Sequence, residues 1–177
     1  ENIDKTFFNK NIANEGGAIY NSGTTTIVAS SKDVTFSGNY TESSDGTKLA
    51  NDIHNDGTLN LYAKGENGET PARTITFNGS ITDNATPVGT LNVGGTYDDN
   101  GTTKTYEGTV NLNNTVTQKG VNVNSGTANF NSTVNATGVN VNNGTANFGG
   151  AVTADGVNVN DGTATFNNTV TATTVNV

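Results

Sequence analysis

Side chains suited to acid–base chemistry are scarce in this sequence of 177 residues. His54, in the segment NDIHND, is the only histidine, and Arg73 is the only arginine. A polysaccharide-cleaving site would need carboxylates beside a basic group, and no carboxylate pair recurs near Arg73. We therefore interpret His54 as an outward-facing strand residue and expect the chain not to be an enzyme.

Acidic and glycine-rich motifs give no defined ligand site. The segments NDG at residues 55–57 and DDNG at residues 98–101 carry oxygen ligands, but they match neither the G-G-x-G-x-D calcium repeat nor the EF-hand spacing. The segment GGTYDDN lacks the third glycine and the helix pattern of a dinucleotide-binding fingerprint. We interpret these motifs as solvated turns, with weak calcium binding as the alternative, and expect no cofactor and no metal.

Chemically varied side chains concentrate in two segments, YAKGENGETPART at residues 62–74 and GGTYDDNGTTKTYEGT at residues 94–109. Residues 120–177, by contrast, contain only Asp155 and Asp161 as charged side chains. Because a binding patch needs varied side chains, we predict one in these segments, with ordinary tolerated insertions as the alternative. The predicted patch consists of Tyr62, Lys64, Arg73, Tyr97, Asp98, Asp99, Lys104 and Tyr106, with Glu66, Glu69 and Glu107 as further charges.

A sequence repeat must position these residues. Gly120, Gly138 and Gly156 begin three successive segments of 18 residues, GVNVNSGTANFNSTVNAT, GVNVNNGTANFGGAVTAD and GVNVNDGTATFNNTVTAT. In each segment the apolar residues alternate in pairs, as in VNV and ANF, and short runs of Gly, Asn, Ser and Thr separate the pairs. The sequence predicts an all-β fold, a single-stranded parallel β-helix with three short strands per coil and about 18 residues per coil in the C-terminal half.

The alternation predicts which side chains face inward. We expect Val121, Val123, Ala128, Phe130, Val134 and their counterparts in the next two repeats to fill the core. We expect Asn122, Asn140 and Asn158 to face outward, stacked with Asn176, where their amides can hydrogen-bond along the solenoid.

A looser form of the repeat extends through the first part of the chain. We assign GTTTI, GTLNL and GTLNV to the first strand, and DVTF, TITF and GTVNL to the second. This register predicts an inward column of Phe36, Phe77, Leu112, Phe130, Phe148 and Phe166. The alternative register places GTLNV, GTVNL and GTANF in successive coils of one face. We divide the chain into an irregular β-helix segment with loop insertions, residues 1–119, and regular coils of the same β-helix, residues 120–177.

The two varied segments interrupt the same corner of successive coils in the preferred register. In the regular coils this corner takes about four residues, as in NSGT. Asn100 and Gly101 stand between TYD and TKTY, which is the pattern of a hairpin with a two-residue turn. We therefore predict that the second insertion projects as a hairpin.

Composition limits the partners. The hydrophobic fraction is 31%, with 22 glycines and no cysteine, which suits a thin repetitive core stabilised by packing alone. The net charge of −8 disfavours nucleic acid and anionic membranes, and no apolar run approaches the roughly 20 residues of a membrane span. The chain begins with Glu1 rather than Met, so we expect it to be a segment of a longer protein.

Residues 8–21, FNKNIANEGGAIYN, combine F-x-x-N with G-G-A-I, and FSGN repeats the first element at residues 36–39. This pairing resembles the passenger repeats of the polymorphic outer-membrane protein and autotransporter adhesin families. The resemblance covers the first quarter of the chain, because the repeats from Gly120 onward lack G-G-A-I. The resemblance implies a right-handed β-helix that is displayed outside a Gram-negative cell and used in adhesion. The 18-residue period alone does not decide the handedness. The lack of a β-barrel translocator and of cysteine is compatible with a passenger fragment.

The leading functional hypothesis is a non-catalytic adhesin or stalk segment, secreted or on the bacterial cell surface. Its partner would be a host or neighbouring-cell glycan or protein, with self-association as a further possibility. The alternatives are a polysaccharide-processing β-helix enzyme and an ice-binding or filament-forming structural protein. The threonine column expected for ice binding is interrupted, because Ala151 stands between Thr133 and Thr169. Glycosylation at Asn-x-Ser/Thr segments is allowed by the sequence without being indicated.

Overall fold

The computed structural model describes residues 5–65 and 72–177, except the side chains of Lys5 and Asp99, and these residues form strands and no helix. In chain order the strands are β1 Lys5–Asn9, β2 Ile12–Ala13, β3 Ile19–Asn21, β4 Thr24–Ala29, β5 Asp33–Ser37, β6 Tyr40–Glu42, β7 Lys48–Asn55, β8 Thr58–Ala63, β9 Thr74–Phe77, β10 Ser80–Thr82, β11 Thr90–Val93, β12 Thr96–Asp99, β13 Thr102–Thr105, β14 Thr109–Leu112, β15 Val116–Val123, β16 Thr127–Phe130, β17 Val134–Val141, β18 Thr145–Phe148, β19 Val152–Val159, β20 Thr163–Phe166 and β21 Val170–Asn176.

The strands stack into three faces of parallel sheet. Face A consists of β1, β5, β9, β14, β16, β18 and β20 in that order. Face B consists of β4, β8 and β11, followed by the second halves of β15, β17, β19 and β21. Face C consists of β3, β7 and β10, followed by the first halves of the same four strands. The chain is therefore an all-β parallel β-helix, as predicted.

The regular coils join two of the three predicted strands into one bent element. β17 covers both the predicted third strand, which begins at Val134, and the first strand of the next coil, which ends at Val141. The glycine between them, Gly138, keeps its ladder pairing with Gly156 in the next coil. The chain thus turns from face C to face B without interrupting the sheet.

The preferred register is confirmed. The segment GTLNV pairs with GTLNL on one side and GVNV on the other, since Leu91 lies beside Leu59 and Val121. The segment GTVNL instead lies on face A, where Leu112 pairs with Phe77 and Phe130. The alternative register, which placed these segments in successive coils of one face, is wrong.

A column of large apolar side chains fills the interior behind face A. It contains the six predicted residues and begins one coil earlier, at Phe8, which pairs with Phe36. The rings stack nearly parallel, with centroids 4.3 Å apart for Phe8 and Phe36 and 4.8 Å apart for Phe130 and Phe148. Because parallel pairing puts equivalent positions about 4.8 Å apart, the rings of successive coils lie at a distance suited to stacking.

The predicted inward residues of the first two repeats are buried, including Val121, Ala128, Val139 and Phe148. In the last repeat Phe166 is only half-buried, because β20 has a single neighbour on face A. The core is one coil-wide apolar column throughout the described chain.

Asparagine ladders cover the outside of the helix. On face B, Asn122, Asn140 and Asn158 lie half-exposed, and each side-chain Nδ2 donates to the Oδ1 of the residue one coil earlier at 2.8 to 2.9 Å. A second ladder runs along face A through Asn129 and Asn147. The outward orientation and the axial stacking are therefore both as predicted.

Buried polar side chains occupy two corners in the first part of the chain, which the sequence did not indicate. At the corner between faces C and B, Asn55 accepts from Asn21 at 2.6 Å and donates to Gln118 at 2.5 Å. At the corner between faces A and C, the Asp52 carboxylate accepts from Asn39 Nδ2 and from the Gly79 amide. Burial raises the pKa of Asp52 above its ordinary value, although these hydrogen bonds partly oppose the shift.

A second hairpin, also not predicted, projects from the corner between faces A and C. Strand β6 runs antiparallel to the start of β7, with Tyr40 opposite Ala50 and Glu42 opposite Lys48. The turn spans Ser43 to Gly46, where the Gly46 amide donates to the Ser43 carbonyl at 2.9 Å and Gly46 has a φ of 81°. An Asp-Gly pair, here Asp45-Gly46, is a hairpin signal, so the sequence contained the information.

The first prediction concerns the apolar column. Replacing Phe148 with Asp places an unpaired charge between two rings in a dry interior, and loss of the ring alone costs about 3–5 kcal/mol. We expect a loss of at least that size in the free energy of unfolding, measured by urea denaturation. The matched control is Asn143→Asp at an exposed turn, where about 0.5 kcal/mol or less is expected. Equal midpoints for the two variants would contradict the described core.

The second prediction concerns Asp52. Its folded-state pKa lies above the unfolded value, so the native chain binds a proton more tightly, and the free energy of unfolding falls as the pH rises through that interval. Relative to Asp52→Asn, the wild type should therefore be most stable near pH 3 and lose this advantage towards neutral pH. Urea denaturation between pH 3 and pH 7 measures it, with Asp155→Asn as the exposed control. A wild-type advantage that grows with pH would contradict burial of this carboxylate.

Candidate functional site

Both chemically varied segments leave the β-helix at one corner, where the chain passes from face B to face A. The first insertion is closed at its base by a hydrogen bond of 2.8 Å from the Arg73 amide to the Lys64 carbonyl. The second is closed by a hydrogen bond of 2.9 Å from the Tyr106 amide to the Gly95 carbonyl. In the next coil the same corner is short and runs from Val123 to Thr127. The prediction of a shared corner is confirmed.

The second insertion forms the predicted hairpin. Strands β12 and β13 pair antiparallel, with Tyr97 opposite Lys104. Asn100 and Gly101 form the turn with φ values of 53° and 82°, the left-handed conformation that a type I′ turn requires. Asp98 stabilises the turn, since its Oδ1 accepts from the Gly101 amide at 3.0 Å.

Three tyrosines meet at this corner, Tyr62 from the end of β8 and Tyr97 and Tyr106 from the second insertion. The rings of Tyr62 and Tyr106 stack with centroids 4.6 Å apart and planes 13° apart. The ring of Tyr97 lies 4.6 Å from Tyr106 at a tilt of 38°, and the Lys64 ammonium lies 5.2 Å from the centre of Tyr97. All three rings are half-exposed. We call Tyr62, Tyr97, Tyr106 and Lys64 the tyrosine cluster.

A buried serine, which the sequence analysis did not single out, holds the base of the hairpin. Ser125 Oγ accepts from the Gly95 amide at 2.9 Å and donates to the Tyr106 carbonyl at 2.6 Å. The corresponding positions of the next two repeats hold Asn143 and Asp161. The sequence indicates this role of the serine only by placing a smaller side chain in the one repeat that borders the hairpin.

The remaining charged residues of the predicted patch have different roles. Asp98 is exposed and acts in the hairpin turn, and Lys104 lies half-buried in β13. Arg73 is half-buried, and its Nε has no hydrogen-bond partner among the described atoms. Glu107 is exposed at the end of the hairpin, where its Cβ lies close to Gly65. The side chain of Asp99, and Glu66 and Glu69, lie outside the described part of the chain.

The tyrosine cluster offers aromatic faces, hydroxyl donors and one cation. Burial raises the pKa of Tyr106, with Tyr97 and Tyr62 adding to the shift, so its hydroxyl stays protonated at neutral pH. Within residues 5–65 and 72–177, no three His, Asp or Glu side chains lie close enough to hold a metal ion. The arrangement is therefore suited to binding a surface by stacking and hydrogen bonding.

His54 lies on face C, at the far side of the helix from this corner. The prediction of an outward-facing residue is wrong about its exposure, because only 9% of the side chain is exposed. The ring stacks on Tyr20, its partner in the neighbouring coil, at 5.1 Å, and bonds to Asp56 at 2.7 Å. Contacts along the helix axis cover a side chain that strand alternation alone would place in solvent.

Comparison with protein-family models, with curated proteins and with solved structures finds no match to this chain. In the part of the chain that the structure describes, no helix is long and apolar enough to cross a membrane.

Proposed function

We propose that this chain is a non-catalytic segment of a cell-surface adhesin or stalk, in which the β-helix presents the tyrosine cluster to a glycan or protein on another cell. The observation that carries the proposal is the cluster itself. The end of β8, the base of the first insertion and the hairpin of the next coil bring three half-exposed tyrosines and a lysine together at one corner. The plain Asn and Thr surface of the regular coils has no comparable group.

Rigidity at the base of the cluster supports this function. Tyrosine supplies a large amphipathic contact area at a low cost in conformational entropy, which is why it is enriched in binding loops. Here the rings pack on one another, and Ser125 ties the hairpin to the following coil. Such a surface needs little further ordering when a partner binds.

The setting of the cluster supports a surface location. Residues 8–21 resemble passenger repeats of adhesin families, and a stacked β-helix extends its binding corner along a stiff axis. The absence of cysteine and the net charge of −8 fit an extended secreted segment whose stability comes from packing.

The third prediction tests the cluster by loop replacement. Residues 62–74 and 94–109 are each replaced by the short segment NSGT, which forms the same corner between β15 and β16. We expect an intact fold by circular dichroism and loss of binding on arrays that carry glycans and extracellular-matrix proteins. Binding by the double replacement at the wild-type level would contradict the proposal, as would no wild-type binding on either array.

A finer pair of variants separates the rings from the loops. The variant with Tyr62, Tyr97 and Tyr106 changed to Ala keeps both loop lengths, and Thr96→Ala with Thr103→Ala is its control on exposed positions of the same hairpin. We expect the tyrosine variant to lose at least tenfold in affinity, about 1.4 kcal/mol, for any array component that the wild type binds. The control should bind as the wild type does.

Ice binding is a second candidate function, favoured by a threonine column that differs from the interrupted one. On the outside of face A, five threonines stand in register in consecutive coils, namely Thr74, Thr109, Thr127, Thr145 and Thr163. Each carries a methyl and a hydroxyl group at a spacing of about 4.8 Å. A regular array of this kind could match the spacing of an ice lattice, as an ice-binding surface requires.

The fourth prediction tests this second function. If face A binds ice, the purified chain will inhibit ice recrystallisation, and Thr127→Lys, in the middle of the column, will abolish the effect. Thr133→Lys, at a corner outside the column, is the control and should retain it. Ice recrystallisation that the wild type does not slow would exclude ice binding.

A further inference from the structure

A cleft lies on the opposite side of the β-helix from the tyrosine cluster. It has a volume of about 440 Å³ and is bounded by the β6–β7 hairpin, by the segment around Glu15 and by face C. This volume falls within the range of about 300–1,000 Å³ that is typical of small-molecule sites. His54, Ser80 and Thr82 line it from face C, and Asn114 lines it from the segment before β15.

His54 is held in a single orientation at this cleft. Its Nε2 lies 2.7 Å from Asp56 Oδ1, and its ring stacks on Tyr20, whose hydroxyl donates to the other oxygen of the same carboxylate at 2.7 Å. The hydrogen bond from Tyr20 lowers the pKa of Asp56, and His54 adds to the shift. Since an ionised carboxylate only accepts, His54 Nε2–H is the donor of the hydrogen bond to Asp56.

The groups around His54 form a preoriented set of donors and acceptors. Thr82 Oγ1 lies 3.4 Å from His54 Nδ1, a long hydrogen bond that a ligand hydroxyl can replace. Asn51 donates to the same oxygen at 2.7 Å, and its own Oδ1 accepts from the Gly17 amide at 3.3 Å. The wall of the cleft is therefore fixed before any ligand enters.

The lining also indicates the charge of the ligand. Glu15 is the only formally charged side chain in it, with no lysine or arginine, so an anionic ligand is disfavoured. Leu49, which is 62% exposed, and Ala50 add an apolar strip on the hairpin side. Many hydroxyl and amide groups facing one apolar strip match the polar edge and the apolar face of a neutral sugar ring.

We propose that this cleft binds a neutral hexose or N-acetylhexosamine residue, with His54, Thr82 and Asn51 hydrogen-bonding its hydroxyl groups and Leu49 packing on its apolar face. This site is separate from the tyrosine cluster, and its occupation does not depend on the adhesin function. A site built to hydrogen-bond hydroxyl groups discriminates strongly against ligands that lack them.

The single histidine makes the test direct. In the NMR spectrum of the full chain, the ring C–H signals of His54 belong to one residue, so they report on the cleft without assignment of the whole protein. The probes are glucose, galactose and N-acetylglucosamine, with N-acetylneuraminic acid as the anionic comparison. We expect a saturable shift of the His54 signals with at least one neutral sugar, at a Kd of about 1 mM or somewhat weaker, and a weaker response to the anionic sugar.

Two variants connect the shift to the cleft. Thr82→Val removes the hydroxyl and should weaken binding at least fivefold, whereas Thr76→Val, on the outside of face A, should leave it unchanged. Leu49→Asp changes an exposed residue, so the fold is retained, and it should weaken binding in the same way. Changing the three tyrosines of the cluster to Ala should not alter the sugar-induced shift. No saturable shift with any neutral sugar, or equal affinities for the Thr82 and Thr76 variants, would overturn the proposal.

Discussion

Axial stacking of like side chains is the interaction on which this structure depends. Parallel pairing in register places each residue over its counterpart, so Phe148 lies between Phe130 and Phe166, and Asn140 lies between its counterparts on the outside. One coil buries too little apolar surface to offset the loss of backbone entropy, so each coil depends on its neighbours. The same repetition that fills the core also satisfies the polar surface, and little of the chain is left for chemistry.

Departures from this repetition occur at the corners, because a corner can lengthen without changing the register of the faces. The β12–β13 hairpin leaves between faces B and A, and the β6–β7 hairpin leaves between faces A and C. The tyrosine cluster and the cleft lined by His54 both arise beside these additions. Irregular corners also require dedicated polar contacts, such as Ser125 beneath one hairpin and Asn51 beside the other.

The sequence predicted what depends on periodicity and on local turn chemistry. The Phe column, the outward asparagines and the turn at Asn100 follow from alternation and from residues that accept positive φ. The burial of His54 could not be predicted from alternation, because it depends on stacking with Tyr20 of the neighbouring coil, to which Asp56 of the same coil adds a hydrogen bond. The cleft was missed for the same reason, since its walls come from segments far apart in the chain and no periodic pattern connects them.

The asparagine ladders also make the rod electrically polar. Each outer amide donates toward the preceding coil, as Asn140 does to Asn122. Backbone hydrogen bonds run both ways, since the Thr145 amide donates to the preceding coil and the Val134 amide to the following one, so their dipoles largely cancel. Buried side-chain amides at one corner donate in the opposite direction, toward the following coil, and in the described chain this series ends at Gln118. Side-chain amides carry aligned dipoles, as peptide units do in a helix, so the regular coils have a net dipole directed along the axis.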